Sequence, residues 1–260
     1  MWWTSMQSYF AKRQFKTLIH QDMSTYPVQF EIAGPAAMFA RPDTGAAPIS
    51  YSVPTWSACK AMFESVARGF FVDEKRSVAF FCPTKVEILK PIRFEKYVFN
   101  YRGPLRNPSE IERGNSYQLS ATILVDVCYR VFGECMPIPT GIESPVNAAH
   151  ALQAMFLRRL NRGYSKYAPC LGWKEFLPTY FGNFRQDHLD LADAPAKQND
   201  IELWIPGLLH SVWDAPVNGT YQPAFREVRV NKGELTFSKP TIQGGKLVFP
   251  IPSPSSDHAA

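Results

Sequence analysis

The sequence predicts an α+β fold in which an antiparallel sheet carries helices on one face. Three observations predict it. Residues 117–131 alternate: Tyr117, Leu119, Ala121, Ile123, Val125, Val127, Tyr129 and Val131 fall on one side, with Gln118, Ser120, Thr122, Asp126 and Arg130 on the other. That period of two is the signature of a strand with one buried face, and it leaves the second face expected to be open to solvent or ligand. Two segments have a helical period instead: Cys59, Met62, Phe63 and Val66, then Leu152, Met155, Phe156 and Leu160. Finally, 22 prolines and 15 glycines in 260 residues make turns frequent, so strands and loops should outweigh helix.

Taken in order, residues 28–32 are apolar on alternate positions and read as a first strand ended by Gly34-Pro35. A loop with Arg41-Pro42-Asp43 follows. Residues 54–67 read as a helix, with Pro54 in the first turn, where a missing N–H costs little, and Gly69 closing it. Residues 77–82 and 85–94 read as two strands, and 97–114 as a basic loop with Arg102, Arg106 and Arg113. The second helix has Ser144 as its expected N-cap, Pro145 at the first position and Gly163 just past its end. Strand, helix, two or three strands, helix is the ferredoxin-like, or RNA-recognition-motif-like, order. Past Phe176 the chain turns β-rich: 203–205 read as a strand, 226–230 and 235–237 as a hairpin through Asn231-Lys232-Gly233-Glu234, and 246–250 as a last strand.

The expected organisation is an N-terminal extension (1–25), a ferredoxin-like domain (26–177), a smaller β-rich segment (178–250) and a disordered tail (251–260). The extension is aromatic, then basic at Lys12, Arg13 and Lys16, and Met23 offers an alternative start. It holds no apolar stretch long enough for a signal peptide, and nothing approaches a membrane span. Five cysteines (59, 82, 128, 135 and 170) form no Cys-x-x-Cys and the histidines are scattered, which argues against zinc and for buried thiols in a reducing cytoplasm. No metal or other cofactor is expected, and no glycine-rich phosphate loop appears.

The net charge of +5 is weak evidence for a polyanionic partner, but it is unevenly spread. Residues 158–185 carry six cations against Glu175 alone, and 186–218 carry six acids against Lys197 alone. Arg158, Arg159 and Arg162 fall at the end of a predicted helix, next to Tyr164 and Lys166. Guanidinium groups hold phosphates bidentately, and tyrosine rings give unpaired bases a stacking face. The plain alternative is arginines complementing a helix dipole and tyrosines packing a loop. Tyr51 precedes a helix whose first turn holds Thr55 and Ser57, where free N–H groups suit a phosphate; it equally suits packing under a loop. Lys60 is placed to reach nucleic acid, or to pair with Glu64 one turn on.

Two blocks carry a resemblance to a known family. The first is Ser50-Tyr51-Ser52-Val53-Pro54-Thr55-Trp56 with its flanking strand and helix. The second is Met155-Phe156-Leu157-Arg158-Arg159, Gly163, and Leu171-Gly172-Trp173-Lys174-Glu175-Phe176. In this order they resemble the fifth family of CRISPR-associated proteins, d subtype, over roughly residues 27–185. The resemblance implies an RNA-binding subunit that holds the 5′ repeat-derived handle of CRISPR RNA in a type I-C-like Cascade surveillance complex, beside its backbone and large subunits. Whether target DNA is also a partner stays open.

The resemblance also implies a metal-independent endoribonuclease that cuts precursor CRISPR RNA, by deprotonating a 2′-hydroxyl for attack on the adjacent phosphate. That chemistry needs a base, a cation and an acid. The family's Lys-His pair falls here on Ala151 and Leu152 and its Tyr near Ala67, so all three positions depart. His150 is the candidate shifted base, with Arg158 or Lys166 as cation and Tyr164 as acid. Candidate RNA contacts are Tyr51, Lys60, Arg41, Arg102, Arg106, Arg158, Arg159, Arg162, Tyr164 and Lys166. The alternatives are a non-catalytic RNA-binding scaffold served by a separate nuclease, and a domain that binds any nucleic acid.

Overall fold

The computed structural model describes residues 25–45, 47–71, 77–101, 107–114, 117–139, 146–185 and 196–250. Its elements are β1 (Pro27–Ala37), α1 (Trp56–Val66), β2 (Phe70–Phe71), β3 (Ser77–Ile88), β4 (Phe94–Tyr101), α2 (Pro108–Glu112), β5 (Tyr117–Pro137) and α3 (Ala148–Asn161). They continue with β6 (Tyr180–Gly182), β7 (Leu203–Trp213), β8 (Tyr221–Asn231), β9 (Glu234–Thr236), β10 (Thr241–Gln243) and β11 (Lys246–Val248). One sheet runs in the order β6-β1-β5-β3-β9-β8-β7, all neighbours antiparallel, while β2 pairs with β3 and β4 with β5. β10 and β11 form a separate hairpin through Gly244 and Gly245, both at positive φ.

Both long helices pack on one face of this sheet. Phe63 of α1 and Phe156 of α3 meet at 5.5 Å, and each contacts Phe81 of β3, at 5.5 and 5.4 Å. Phe30 of β1 closes the cluster against Phe63 at 4.8 Å. The predicted stripes are the buried ones: Cys59, Met62, Phe63 and Val66 on α1, and Leu152, Phe156 and Leu160 on α3, with Met155 half-buried.

Several boundaries move for identifiable reasons. β1 continues through Gly34-Pro35, because β6 pairs only Glu31–Ala33 and leaves β1 unflanked on that side where the proline sits. The expected strands 77–82 and 85–94 merge into the single strand β3, which is bulged between Pro83 and Lys85 and ends at Ile88, short of the expected 94; the Pro83 carbonyl accepts the Trp56 indole N–H at 3.1 Å. The expected loop 97–114 begins as β4, paired with β5 from Phe94–Leu124 to Tyr101–Tyr117.

The helix starts also shift. Thr55, not Pro54, opens α1, its side chain accepting the Ala58 N–H at 3.1 Å. Asn147 caps α3 by accepting the His150 N–H at 3.1 Å, so that helix starts three residues past the expected Ser144 cap, and Ser144 itself lies outside the described residues. The end of α3 is as expected. Gly163 sits at φ 63° and donates to Leu160, while Tyr164 donates back to Arg159, the paired bonds of a Schellman closure.

The face opposite the helices is not open at its centre, contrary to expectation. Glu31 is fully buried there between Arg130, at 3.2 Å, and Arg185. Arg130 lies over the Phe184 ring and Arg185 over the Tyr180 ring, at 4.7 and 4.6 Å. A buried carboxylate without those partners would cost several kcal/mol, so the segment carrying Phe184 and Arg185 must cover this part of the sheet.

Candidate nucleic-acid interface

β7 ends the sheet and lies across the start of α1. Its backbone is completed by side chains. The Tyr51 hydroxyl donates to the Gly207 carbonyl at 3.0 Å and accepts the Leu209 N–H at 3.1 Å. The Ser57 hydroxyl donates to His210 O at 3.2 Å and accepts Val212 N–H at 3.1 Å. The register of β7 slips between Ile205 and Leu208, and Tyr51 fills the gap. Tyr51 is 5 % exposed and offers no stacking face, so the strongest motif in the sequence is a structural clasp at this residue.

Inside the clasp, His210 is buried against Trp56 (5.6 Å, parallel), Phe237 (5.7 Å) and Phe249 (4.4 Å), with no hydrogen-bond partner on either ring nitrogen. Burial first, and the nearby Arg226 charge second, lower its pKa to about 4.

At the other end of α1 the chain builds a cationic corner. Arg159 donates to the Val66 carbonyl at 2.8 Å, and the Tyr167 N–H donates to Ser65 O at 2.9 Å. The ends of α3 and α1 are thereby tied together, with the loop after α3 strapped to both. The Schellman closure turns Tyr164 back so that the Arg159 guanidinium sits 5.5 Å from its ring centre; Lys166 sits 5.6 Å from that of Tyr167. Tyr164 and Tyr167 are 55 and 50 % exposed, and Arg158, Arg162 and Lys166 are exposed. Of the sequence candidates, Arg158, Arg159, Arg162, Tyr164 and Lys166 converge here.

A furrow of connected hollows runs along the outer side of α1. One, of about 340 Å³, lies between the helix and the loop of Tyr167, Ala168, Cys170 and Gly172. A second, of about 280 Å³, lies between the helix and the 213–219 turn, led by Trp213. A third, of about 250 Å³, reaches from Trp213 back to Ser57. Glu64 lines all three, Arg68 the first two, and Lys60 the last two.

The other sequence candidates are placed apart or engaged elsewhere. Lys60 is in the furrow but ion-paired to Glu64 on the helix. Arg41 makes a fork on Asp43, at 3.1 and 2.7 Å, and its guanidinium is 5.8 Å from the Tyr51 ring centre. Arg102 and Arg106, like the acidic residues 187–193, lie outside the described residues. His150 is exposed at the first turn of α3, 5.8 Å from the Tyr26 ring. Eight residues of helix, about 12 Å, separate it from Arg158, so the candidate base and the candidate cation occupy opposite ends of one element. Leu152 and Ala67, where the family pattern would place His and Tyr, are fully buried. Sequence reasoning missed Arg68 and Trp213; exposed apolar residues at a strand end carry no local signal of what they will face.

Among the described residues no three metal-ligating side chains converge, and no helix is long and apolar enough to cross a membrane. Four cysteines are buried and free; Cys170 is half-buried.

No protein-family model matches the chain. A curated protein of Mannheimia succiniciproducens, the CRISPR pre-crRNA endoribonuclease Cas5d, is 27 % identical over 174 residues, covering 59 % of this chain and 71 % of that protein. A crystal structure of a CRISPR-associated protein superposes with a TM-score of 0.56 at 18 % identity, over 81 % of this chain and 91 % of its own. The uncharacterised protein SMU1763c of Streptococcus mutans gives 0.55 at 18 % identity, over the same shares. The chain is thus similar in sequence to a Cas5d protein and in fold to a CRISPR-associated protein, and the two blocks of motif around Tyr51 and Arg158 resemble the same family.

Proposed function

We propose that this protein is the CRISPR RNA-binding subunit of a type I-C-like Cascade complex, and that it holds the single-stranded 5′ handle along the cationic corner and the furrow of α1. The observation that carries the reading is the joining of the two helix ends. It sets Arg159 and Lys166 against the exposed rings of Tyr164 and Tyr167, the latter lining a groove, with exposed Arg158 and Arg162 at the same helix end. Cations there neutralise phosphates and rings stack unpaired bases, which is how single strands are bound without a duplex to read. On this reading β1, β3, β5 and β6 with α1 and α3 are a ferredoxin-like unit of strand order 4-1-3-2, to which β7, β8 and β9 add a β-rich extension. The protein works in the cytoplasm, beside the backbone and large subunits.

Two versions differ on catalysis. The scaffold version is favoured by the buried Leu152 and Ala67 and by the separation of His150 from the cationic corner. The nuclease version is favoured by the activity in the relative's name.

The test is the purified protein with its cognate repeat RNA in EDTA, at about 150 mM salt. Binding that prefers the cognate repeat over scrambled RNA is expected. Equal affinity for both would replace the reading with general nucleic-acid binding, and no affinity would end it. Intact RNA after prolonged incubation supports the scaffold. A single cut at the hairpin base establishes the nuclease, and its persistence in His150→Ala would put the base elsewhere.

A further inference from the structure

The furrow has a feature that general phosphate binding does not require. Glu64 and Arg68 form a ridge between two hollows, and each hollow has one exposed aromatic wall, Tyr167 on one side and Trp213 on the other. Arg68 is exposed and pairs with no acid among the described residues. Trp213 is 52 % exposed, although it sits at the end of a paired strand with the Tyr221 ring 6.2 Å away at 85°.

The turn behind Trp213 is braced. Asp214 accepts the Thr220 N–H at 2.7 Å and the Thr220 hydroxyl at 2.9 Å, its carboxylate meets Lys246 at 3.1 Å, and its carbonyl accepts the Leu247 N–H at 2.7 Å. The wall is therefore held in place before any ligand arrives, which spares the ordering cost of binding.

We infer that this ridge and its two hollows form a base-reading clamp for one dinucleotide step of single-stranded RNA, with Trp213 stacking one base, Tyr167 the next, and Arg68 holding the phosphate between them. Glu64 gives the clamp its selectivity. A carboxylate accepts hydrogen bonds and donates none, so it favours a base presenting an exocyclic amine (cytosine, adenine or guanine) over uracil. Lys60 is ion-paired to Glu64 one turn away and ties that side chain to the helix. The hollows suit this ligand by size: about 280 and 340 Å³ fall on either side of the ~300 Å³ at which drug-sized sites begin, room for one ring system each. The clamp rests on the RNA-binding reading and adds to it a specificity site that shares only Tyr167 with the cationic corner.

The experiment measures the affinity of the full chain for its repeat RNA at fixed salt, in wild type, Trp213→Ala, Trp213→Phe, Glu64→Gln and the double variant Arg158→Ala/Arg162→Ala. Stacking on an aromatic is worth ~1–3 kcal/mol per base, so Trp213→Ala is expected to weaken binding by roughly 5- to 150-fold, with Trp213→Phe restoring most of it. Glu64→Gln is expected to narrow the preference for amine-bearing bases over uracil in short single-stranded oligonucleotides, and to leave the melting temperature within a few degrees. Wild-type affinity in Trp213→Ala, with binding lost in the double arginine variant, overturns the clamp and leaves the RNA-binding reading intact. Failure of the wild type to bind RNA overturns both.

Discussion

Replacing Tyr51 by Phe removes one oxygen and tests whether the most motif-like residue of the chain binds RNA or holds the fold. The hydroxyl makes two hydrogen bonds to the β7 backbone, to Gly207 at 3.0 Å and from Leu209 at 3.1 Å. Both are partly buried, so each contributes a net ~1 kcal/mol, and the pair about 2 kcal/mol. Leaving either backbone group without water would raise the loss towards ~4 kcal/mol. For a chain of this size about 2 kcal/mol lowers the melting temperature by roughly 4–8 °C.

Urea unfolding reads the same quantity as a lower midpoint at unchanged slope. Affinity for the repeat RNA should stay within about twofold of wild type, because the ring is 5 % exposed and faces protein. An unchanged midpoint together with a tenfold (~1.4 kcal/mol) loss of RNA affinity would refute the clasp and return Tyr51 to the binding surface.

Three further outcomes follow from the same geometry. His210 is held neutral, with its pKa lowered from 6.5 to about 4, whereas the unfolded chain takes up a proton near 6.5. Its contribution is therefore complete above pH ~6.5 and falls away as pH drops to ~4, by about 3 kcal/mol in all; His210→Phe should flatten that part of the stability–pH curve measured by urea titration. Gly172→Ala should cost at least ~2 kcal/mol and loosen the wall that carries Tyr167, since the residue sits at φ 90° with a built Cβ 1.8 Å from the Met38 carbonyl; thermal melting and RNA affinity should fall together. Arg158→Ala with Arg162→Ala should reduce the slope of log affinity against log salt by about 1.4, from two phosphate contacts at ~0.7 each on a single strand, and an unchanged slope would place the RNA elsewhere.

Much of the scaffold was legible because it depends on short-range patterns. The buried stripes of α1 and α3, the positive φ of Gly163 and the hairpin at Lys232-Gly233 follow from residue types within a turn or two of one another. Cations and tyrosines clustered after α3 were visible for the same reason. The Tyr51 motif was legible as a junction but not in its role, since its hydroxyl partners are 156 and 158 residues away. The covered sheet face was hidden likewise: alternation in β5 states which residues share a side, and nothing in it announces that Arg185 will return across 154 residues to Glu31.

By itself, then, the sequence determined the two long helices, most of the strands, which side of each is apolar, and where positive charge gathers, because dihedral preference and hydrophobic period act between near neighbours. Only the tertiary structure decided that β7 closes over α1, that the ends of α1 and α3 meet, and that Trp213 and Tyr167 flank one ridge. Those arrangements are set by which distant surfaces bury each other and satisfy each other's backbone groups, and no local window of residues contains that information.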